Sequence, residues 1–103
     1  MSANSVEKAF ATLAPEKKYK RDLKRIRKQG KDERLLEAVI DEIAAGESLE
    51  AKREDHPLNG KYSGCRGCHI EPDWVLIYRL LKRGKVPLLR LVRTGSHGEL
   101  FGM

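Results

Sequence analysis

The sequence predicts an α+β fold, in which an N-terminal helical hairpin packs on a small antiparallel β-sheet. Apolar residues recur at helical spacing between Pro15 and Gly46, and after Gly46 they form alternating or unbroken runs that are typical of strands. The length of 103 residues suits one domain with one modest hydrophobic core. We therefore treat residues 1–103 as a single domain.

The beginning of the chain is its least determined part. Residues 1–14 are predicted to be an extension with a weak first strand, because Ala9–Leu13 fits either a short strand or a leading helical turn. Pro15 suits the first turn of a helix, where its missing N–H leaves no hydrogen bond unmade. We therefore expect the first helix to begin at Pro15.

Two helices are predicted next, and a glycine ends each of them. Gly30 follows the first apolar stripe and Gly46 follows the second, as expected for helix C-termini. Asp32 can cap the second helix through its carboxylate. The first stripe consists of Tyr19, Leu23 and Ile26, and the second of Leu35, Leu36, Val39, Ile40 and Ile43. The short link between them indicates an antiparallel hairpin.

The second half of the chain is predicted to form strands. Residues 48–64 are a connector that leads into a first strand, and this strand continues through Cys68–Ile70 and turns at Glu71–Asp73. Trp74–Leu81 is almost unbroken apolar sequence, which is typical of a strand covered on both faces. Val86–Thr94 alternates as the last strand. These strands form an antiparallel meander whose apolar face the helical hairpin must cover.

The charge of the chain is +6 and is unevenly distributed. Residues 16–34 contain ten Lys or Arg against four Asp or Glu, whereas residues 35–55 contain two against seven. Residues 61–103 contain eight against three. Two basic blocks indicate a polyanion partner, because Lys and Arg that meet phosphates release counterions. A solvated, lysine-rich helix surface is the alternative.

The sequence gives no indication of a membrane or export segment. Its apolar runs fall short of the ~18–20 residues that a membrane span needs. The N-terminus lacks the basic and apolar regions of a secretory signal. We therefore expect a cytoplasmic protein without a membrane partner.

The string Cys65-Arg66-Gly67-Cys68-His69 matches the C-x-x-C-H pattern of covalent haem attachment, and its first part matches zinc and thiol-redox motifs. Haem attachment requires export, and a structural zinc site usually has four ligands, whereas the chain has only two cysteines. A redox pair is expected between a strand and a helix. Two reduced cysteines are therefore favoured and we expect no cofactor. A metal site of Cys65, Cys68 and two histidines would require the fold to bring them together.

All three histidines, His56, His69 and His97, lie in turn-rich segments of the second half of the chain. Histidine titrates near ~6.5, so neighbouring groups can tune it to accept or donate a proton at neutral pH. Metal-free RNA cleavage needs such a base and acid, with cations to stabilise the phosphorane. Trp74 or Phe101 could stack a base. Surface histidines without catalytic function are the common alternative.

Three strings in this region resemble the YafQ branch of the RelE/ParE toxin superfamily. They are HPL-x-G at residues 56–60, the string at residues 62–78 that contains HIEPDW, and the string at residues 89–101 that contains RTGSH. The resemblance covers about residues 50–102, and the helical hairpin also lies where the family has one. Because these strings are long and unusual, the resemblance is specific.

The resemblance implies a ribosome-dependent mRNA interferase of a type II toxin–antitoxin system, with a RelE-like fold. Such toxins enter the ribosomal A site and cut mRNA during translation. The catalytic residues implied are His56, His69, Asp73, His97 and Phe101. The implied RNA contacts are Trp74, Arg66 and Arg93, to which the basic first helix adds Lys24 and Arg25 as candidates for ribosomal RNA.

The resemblance also implies partners and leaves an alternative. A cognate antitoxin is expected to hold the toxin inactive, and the complex of the two is expected to bind operator DNA. Within the superfamily, a non-catalytic ParE-like branch poisons DNA gyrase. A gyrase poison or a non-catalytic translational blocker is therefore the competing hypothesis, although the three histidines, Asp73 and Phe101 argue against it.

Overall fold

The structure, a computed structural model, describes residues 10–84 and 86–102. Strands β1 to β5 form one sheet in the order β1-β5-β4-β3-β2. The strands are β1 (Thr12–Pro15), β2 (His56–Pro57), β3 (Arg66–Glu71), β4 (Trp74–Arg83) and β5 (Val86–Gly95). The helices are α1 (Lys17–Lys28), α2 (Glu33–Ala44) and α3 (His97–Phe101), with single 3-10 turns at Ala51–Arg53 and Gly60–Tyr62. The α+β fold class is confirmed.

The sheet is mixed, which corrects the expectation of a purely antiparallel one. β2, β3, β4 and β5 pair antiparallel, whereas β1 lies parallel to β5, with Thr12 opposite Leu88 and Pro15 opposite Leu91. A parallel pair needs a long connection between its strands. The chain supplies one, because the two helices and three other strands lie between β1 and β5.

Pro15 ends a strand and does not begin a helix. It is the last residue of β1, and Glu16 in extended conformation is the N-cap of α1. An edge strand tolerates proline because the missing N–H breaks no ladder hydrogen bond there. The first strand therefore lies at residues 12–15, later than expected, and the predicted extension at residues 1–9 lies outside the described residues.

The predicted helix ends are confirmed. The Asp32 carboxylate accepts a hydrogen bond from the backbone N–H of Arg34, which makes it the cap of α2. Gly30 and Gly46 follow α1 and α2 with φ angles of 76° and 77°. This left-handed conformation is easy only for glycine, so each glycine fixes where its helix stops.

The sheet is covered on both faces, as the apolar run in β4 predicts. On one face the helices pack against alternate strand residues, and this larger core includes Ile26, Leu36, Val39, Trp74, Leu76 and Leu89. On the opposite face a smaller cluster joins Val75 and Ile77 to Leu100 of α3 and to side chains of the connector before β3. None of the helices in the described ranges has the length and apolar character needed to cross a bilayer.

A buried carboxylate joins α1 to the end of β5. Asp22 is 1% exposed, and its Oδ2 accepts hydrogen bonds from Arg93 Nε at 2.7 Å and from the Thr94 backbone N–H at 3.0 Å. Its Oδ1 accepts from Arg93 Nη2 at 3.0 Å and lies 2.9 Å from Arg25 Nη2. A carboxylate leaves water at a high cost unless it is paired and hydrogen-bonded. Asp22 is paired with two arginines and also accepts a backbone hydrogen bond from Thr94. It therefore fixes the position of β5 relative to α1.

The fixed end of β5 then determines where α3 begins. The Thr94 hydroxyl donates to the Val75 carbonyl at 2.9 Å, which holds β5 against β4. A Cβ placed on Gly95 would lie 2.7 Å from Arg25 Nη2 and 2.8 Å from Glu99 Oε1, so a larger residue here would displace the ends of these two side chains from their present positions. α3 was not predicted, although Ser96 and Glu99 form the capping box that the pattern S-x-x-E indicates.

We expect Asp22→Asn to destabilise the protein strongly. The variant keeps the shape of the side chain but leaves Arg93 without its counter-charge in a largely buried site, whereas Arg25 keeps its contact with Glu99. Loss of one partner from a buried ion pair costs about 3–5 kcal/mol, and the partial exposure of the arginines favours the lower end of that range. Urea unfolding measures the effect. Asp41→Asn, on the exposed side of α2, is the matched control, and an equal change in both variants would contradict this role.

Candidate functional site

The centre of the candidate site is a contact between a turn and the first residue of α3. Asp73, in the turn between β3 and β4, places Oδ1 2.7 Å from Nδ1 of His97 and 3.0 Å from the His97 backbone nitrogen. Both groups donate to the carboxylate, and these hydrogen bonds from the backbone and the ring hold the pKa of Asp73 below its ordinary value. An ionised Asp73 therefore keeps a proton on Nδ1 of His97.

A second histidine continues this chain of contacts. Nε2 of His69 lies 3.2 Å from Nε2 of His97, and the ring centroids are 5.1 Å apart. Because Nδ1 of a neutral His97 carries its proton, its Nε2 has a lone pair that accepts from Nε2–H of His69. The two facing nitrogens share one proton. The rings therefore act as a coupled pair, in which a proton gained or lost by one changes the state of the other.

The third histidine is held separately. His56 lies on β2, opposite Gly67 of β3, and its ring is exposed. Its Nδ1 lies 2.7 Å from the carbonyl oxygen of Glu54. A carbonyl oxygen can only accept, so Nδ1 donates and the Nε2 of the neutral ring carries a lone pair. This tautomer leaves His56 able to accept a proton.

The three histidines line one cleft of about 370 Å³, which we call the histidine cleft. Its lining residues are Glu54, His56, Leu58, Gly67, Cys68, His69, Val75, His97 and Phe101. The volume falls within the ~300–1,000 Å³ of ligand sites. The ring of Phe101 lies 6.1 Å from that of His97 and meets Tyr62 edge to face at 5.7 Å. Phe101 thus presents an aromatic surface beside the histidine pair.

Trp74 does not contribute an exposed aromatic surface, and the expectation that it contacts RNA is wrong. Its side chain is 0% exposed and lies in the core beneath the helices. Its Nε1–H donates to the Thr94 hydroxyl at 2.9 Å, which satisfies the indole as burial requires. Trp74 therefore acts structurally, by joining the start of β4 to the end of β5.

Three of the predicted RNA-contacting arginines are engaged within the protein. Arg93 and Arg25 pair with Asp22, and Arg25 also contacts Glu99 at 3.1 Å and donates to the Thr94 carbonyl. Arg66 pairs with Asp55 at 3.2 Å and belongs to the helix-covered face of β3. None of these three lines the histidine cleft, so Arg66 and Arg93, which were expected to contact phosphate, do not stand beside the histidines. Lys24 is exposed on α1 and away from this cleft.

A second concave surface, the cationic groove, carries the positive charge that the histidine cleft lacks. The described residues that line it include six cations and one carboxylate, Glu16. The cations are Lys17, Lys18, Lys61, Arg79, Arg90 and Arg93. Tyr62 also lines this groove, and its ring contacts Phe101 of the histidine cleft. The two concave surfaces are therefore neighbours across the Tyr62–Phe101 contact.

The thiols of the two cysteines lie on opposite faces of the sheet. Cys68 borders the histidine cleft, but its side chain is buried in the core beneath the helices, whereas the side chain of His69, the next residue along the strand, faces the cleft on the opposite side. Cys65 packs against the smaller cluster on that opposite side. Both are free thiols, and burial raises the pKa of Cys68 to about 12. Within residues 10–84 and 86–102, no group of three or more His, Cys, Asp or Glu could hold a metal ion.

Sequence reasoning missed residues that hold the site together. Asp22 occupies the apolar face of α1 between Tyr19 and Ile26, and a carboxylate at such a position was the available signal of a buried ion pair. Tyr62, whose hydroxyl donates to the Leu100 carbonyl at 3.0 Å, gave no comparable signal. Nor did Glu54, because its importance depends on neighbours that are distant in sequence.

Comparisons with known proteins found similar sequences and similar folds. A family described as "Bacterial toxin of type II toxin-antitoxin system, YafQ" matches residues 11–102. The mRNA interferase toxin YafQ of Escherichia coli is 41% identical over 85 residues, which cover 82% of this chain and 88% of that protein. The crystal structure of the E. coli DinJ–YafQ toxin–antitoxin complex superimposes with a TM-score of 0.79 at 38% identity, covering 89% of this chain and 98% of that one. Another crystal structure, of YafQ from an E. coli strain, gives a TM-score of 0.81 at 34% identity and covers 89% and 99%.

We expect the Asp73 carboxyl to titrate below its ordinary pKa in the folded protein. The stability that this contact contributes is present above the ordinary pKa and is lost as the pH falls through the lowered one. In His97→Ala the ring donor is gone but the backbone donor remains, so the pKa of Asp73 should rise only part of the way. Carboxyl ¹³C NMR against pH measures both proteins. An ordinary pKa for Asp73 in the wild type would contradict the contact.

Proposed function

The chain belongs to the YafQ family of type II toxin–antitoxin toxins, whose E. coli member is named an mRNA interferase, and we propose that its histidine cleft cuts mRNA by metal-free acid–base catalysis. The observation that carries the mechanism is the chain from the Asp73 carboxylate through His97 to His69, with His56 in the same cleft. It supplies a proton acceptor and a proton donor within one site.

His56 is the proposed general base. Its Nδ1 is engaged by the Glu54 carbonyl, so Nε2 is available to take the proton of a ribose 2′-OH. The 2′-oxygen then attacks the adjacent phosphorus, and the bond from phosphorus to the 5′-oxygen breaks. The RNA is left with a 2′,3′-cyclic phosphate on one fragment and a 5′-hydroxyl on the other.

The His69–His97 pair is the proposed general acid. In its singly protonated, cationic form it donates a proton to the departing 5′-oxygen, and its charge stabilises the phosphorane before that transfer. This double role matters because no Arg or Lys is among the described residues lining the cleft. Phe101 is proposed to hold the nucleotide by stacking, which its partly exposed ring beside His97 allows.

The cationic groove is the proposed path of the RNA backbone beyond the cleft. A strand that crosses the Tyr62–Phe101 contact enters a surface with six cations against one carboxylate. Such a surface binds phosphates independently of sequence. Ribosomal RNA is a further proposed contact of the exposed basic residues on α1, Lys24 among them.

The partners of the chain are proposed from its relatives. A cognate antitoxin is the expected partner, because the E. coli relative was crystallised as a DinJ–YafQ toxin–antitoxin complex. Action on translating ribosomes and binding of the toxin–antitoxin complex to operator DNA are proposed as parts of the same system. The ribosome would supply a strand held in line for cleavage, since positioning contributes much of the rate in such reactions.

We expect His97→Ala and His56→Ala each to lower the rate of mRNA cleavage by about 10²–10⁴, the usual contribution of one general acid or base. Cleavage of a translated reporter mRNA, mapped by primer extension and by the chemistry of the new ends, measures this. Circular dichroism establishes that both variants are folded. Growth arrest with intact mRNA would instead support a non-catalytic toxin that binds gyrase or the ribosome.

The groove is tested with 2′-O-methyl RNA, which cannot be cleaved. Lys17→Gln combined with Arg79→Gln should weaken binding, and the salt dependence of the affinity should fall by about 1.4 in log–log slope, since two single-strand phosphate contacts are lost. Lys24→Gln combined with Lys28→Gln makes the same change of charge outside the groove. Equal losses in the two double variants would contradict the groove as the path of the strand.

A further inference from the structure

Glu54 lines the histidine cleft, and the mechanism above uses its backbone carbonyl but not its carboxylate. It lies in the connector between α2 and β2, where it ends the single 3-10 turn Ala51–Arg53. Its backbone carbonyl accepts from His56, as described above. Its carboxylate oxygen Oε1 lies 3.7 Å from Nδ1 of His69, which is on β3. One residue therefore contacts two of the three histidines.

The contact completes a row of four titratable side chains. Asp73 lies 2.7 Å from His97, the two Nε2 atoms lie 3.2 Å apart, and Nδ1 of His69 faces Glu54 at 3.7 Å. A carboxylate thus stands at each end of the histidine pair. With only Asp73 present, the contacts would favour a proton on His97 alone. With Glu54 at the opposite end, a proton on Nδ1 of His69 also has a counter-charge.

The backbone around Glu54 is held in place on both sides. Arg53 donates through Nη1 to the Ile70 carbonyl at 2.8 Å, which fixes the connector to the edge of β3. Asp55 accepts from the Tyr78 hydroxyl at 2.7 Å and from Arg66 at 3.2 Å. Between these anchors, Glu54 adopts φ 49° and ψ 43°, a left-handed conformation that disfavours residues other than glycine, asparagine and aspartate. Neighbouring contacts must enforce such a conformation, and it occurs preferentially at functional sites.

On this basis we infer that Glu54 is a positioning residue for the general acid, which orients the His69 ring and provides a counter-charge for its protonated form. The inference rests on the proposed acid–base function of the histidine pair. Glu54 acts through His69 and need not contact the RNA. Asp73 does the same for His97, so that each ring of the pair has its own carboxylate.

The other charged groups near His69 do not take over this function. His97 faces it from α3, and His56 lines the same cleft from β2. Arg53 reaches the backbone carbonyls of His69 and Ile70 and not the imidazole. Lys52 and Glu71 line a neighbouring depression together with His69. The charges of this lysine and this glutamate have opposite signs. Among these described groups, Glu54 has the carboxylate in ion-pair range of the His69 ring.

The decisive measurement is the pH dependence of mRNA cleavage by Glu54→Gln beside the wild type. Removing the carboxylate makes the protonated pair less stable, so the alkaline limb of the pH–rate profile should move to lower pH. We expect the rate on that limb to fall about two- to fivefold, which corresponds to an exposed ion pair. Glu54→Asp keeps the charge on a shorter side chain and should restore part of the loss.

Glu50→Gln is the matched control. Glu50 lies on the same connector and is exposed, and its ion pair is with Lys52 at 3.8 Å. The Glu50→Gln variant should leave the cleavage rate and the position of the alkaline limb unchanged. A rate that falls equally at every pH in Glu54→Gln, or in both variants, would show a merely structural role and would overturn the inference.

A second readout is independent of RNA cleavage. Imidazole ¹⁵N NMR titration of the histidine pair should show its midpoint at lower pH in Glu54→Gln than in the wild type, and the difference should shrink as salt screens the exposed carboxylate. If the wild type cleaves mRNA but neither readout separates Glu54→Gln from Glu50→Gln, the inference fails and the proposed function stands. If the midpoint moves but the wild type does not cleave, the proposed function fails, together with the role of Glu54 in it.

Discussion

The ion pair between Asp22 and Arg93 is the interaction on which the rest of the structure depends. It buries a carboxylate between α1 and β5, at the point where β1 has ended and the edge of β5 would otherwise be open. The Thr94 backbone N–H completes the coordination of the carboxylate. Buried charge tolerates little displacement, because an unpaired carboxylate in this position would be costly. The hydrogen bonds of Asp22 thereby hold the end of β5 in a fixed position against α1.

From this fixed point the site is assembled by short steps along the chain. Thr94 binds Trp74 and Val75, which places the turn that carries Asp73 beside the end of β5. Ser96 then caps α3 two residues later, so His97 is presented on the first turn with its N–H directed at Asp73. The burial of Trp74 is thus part of how the histidine pair is positioned. A residue can be essential to a site without contacting the ligand.

The distribution of charge separates two tasks that RNA cleavage combines. The histidine cleft contains three imidazoles and the Glu54 carboxylate, and Asp73 holds His97 from outside it. The cationic groove contains side chains that stay charged at every physiological pH and can hold a phosphate backbone. Keeping lysines and arginines out of the cleft matters, because a nearby permanent cation would disfavour the protonated form of the pair. The Tyr62–Phe101 contact separates the two surfaces.

The local sequence pattern was sufficient to predict α1 and α2, the ends of these helices at Gly30 and Gly46, the Asp32 cap, and the burial of β4 on both faces. These features depend on residues near one another in the chain, so periodicity reports them directly. The candidate histidines and Asp73 were also identified from the sequence, with the family resemblance supplying their expected roles. Only the tertiary structure decided that β1 runs parallel to β5, that Trp74 is buried, and that Arg93 pairs with Asp22. Each of these depends on a partner about 20 to 75 positions away. No local pattern encodes such a partner, because the free energy of a buried charge or indole is set by what the fold brings next to it.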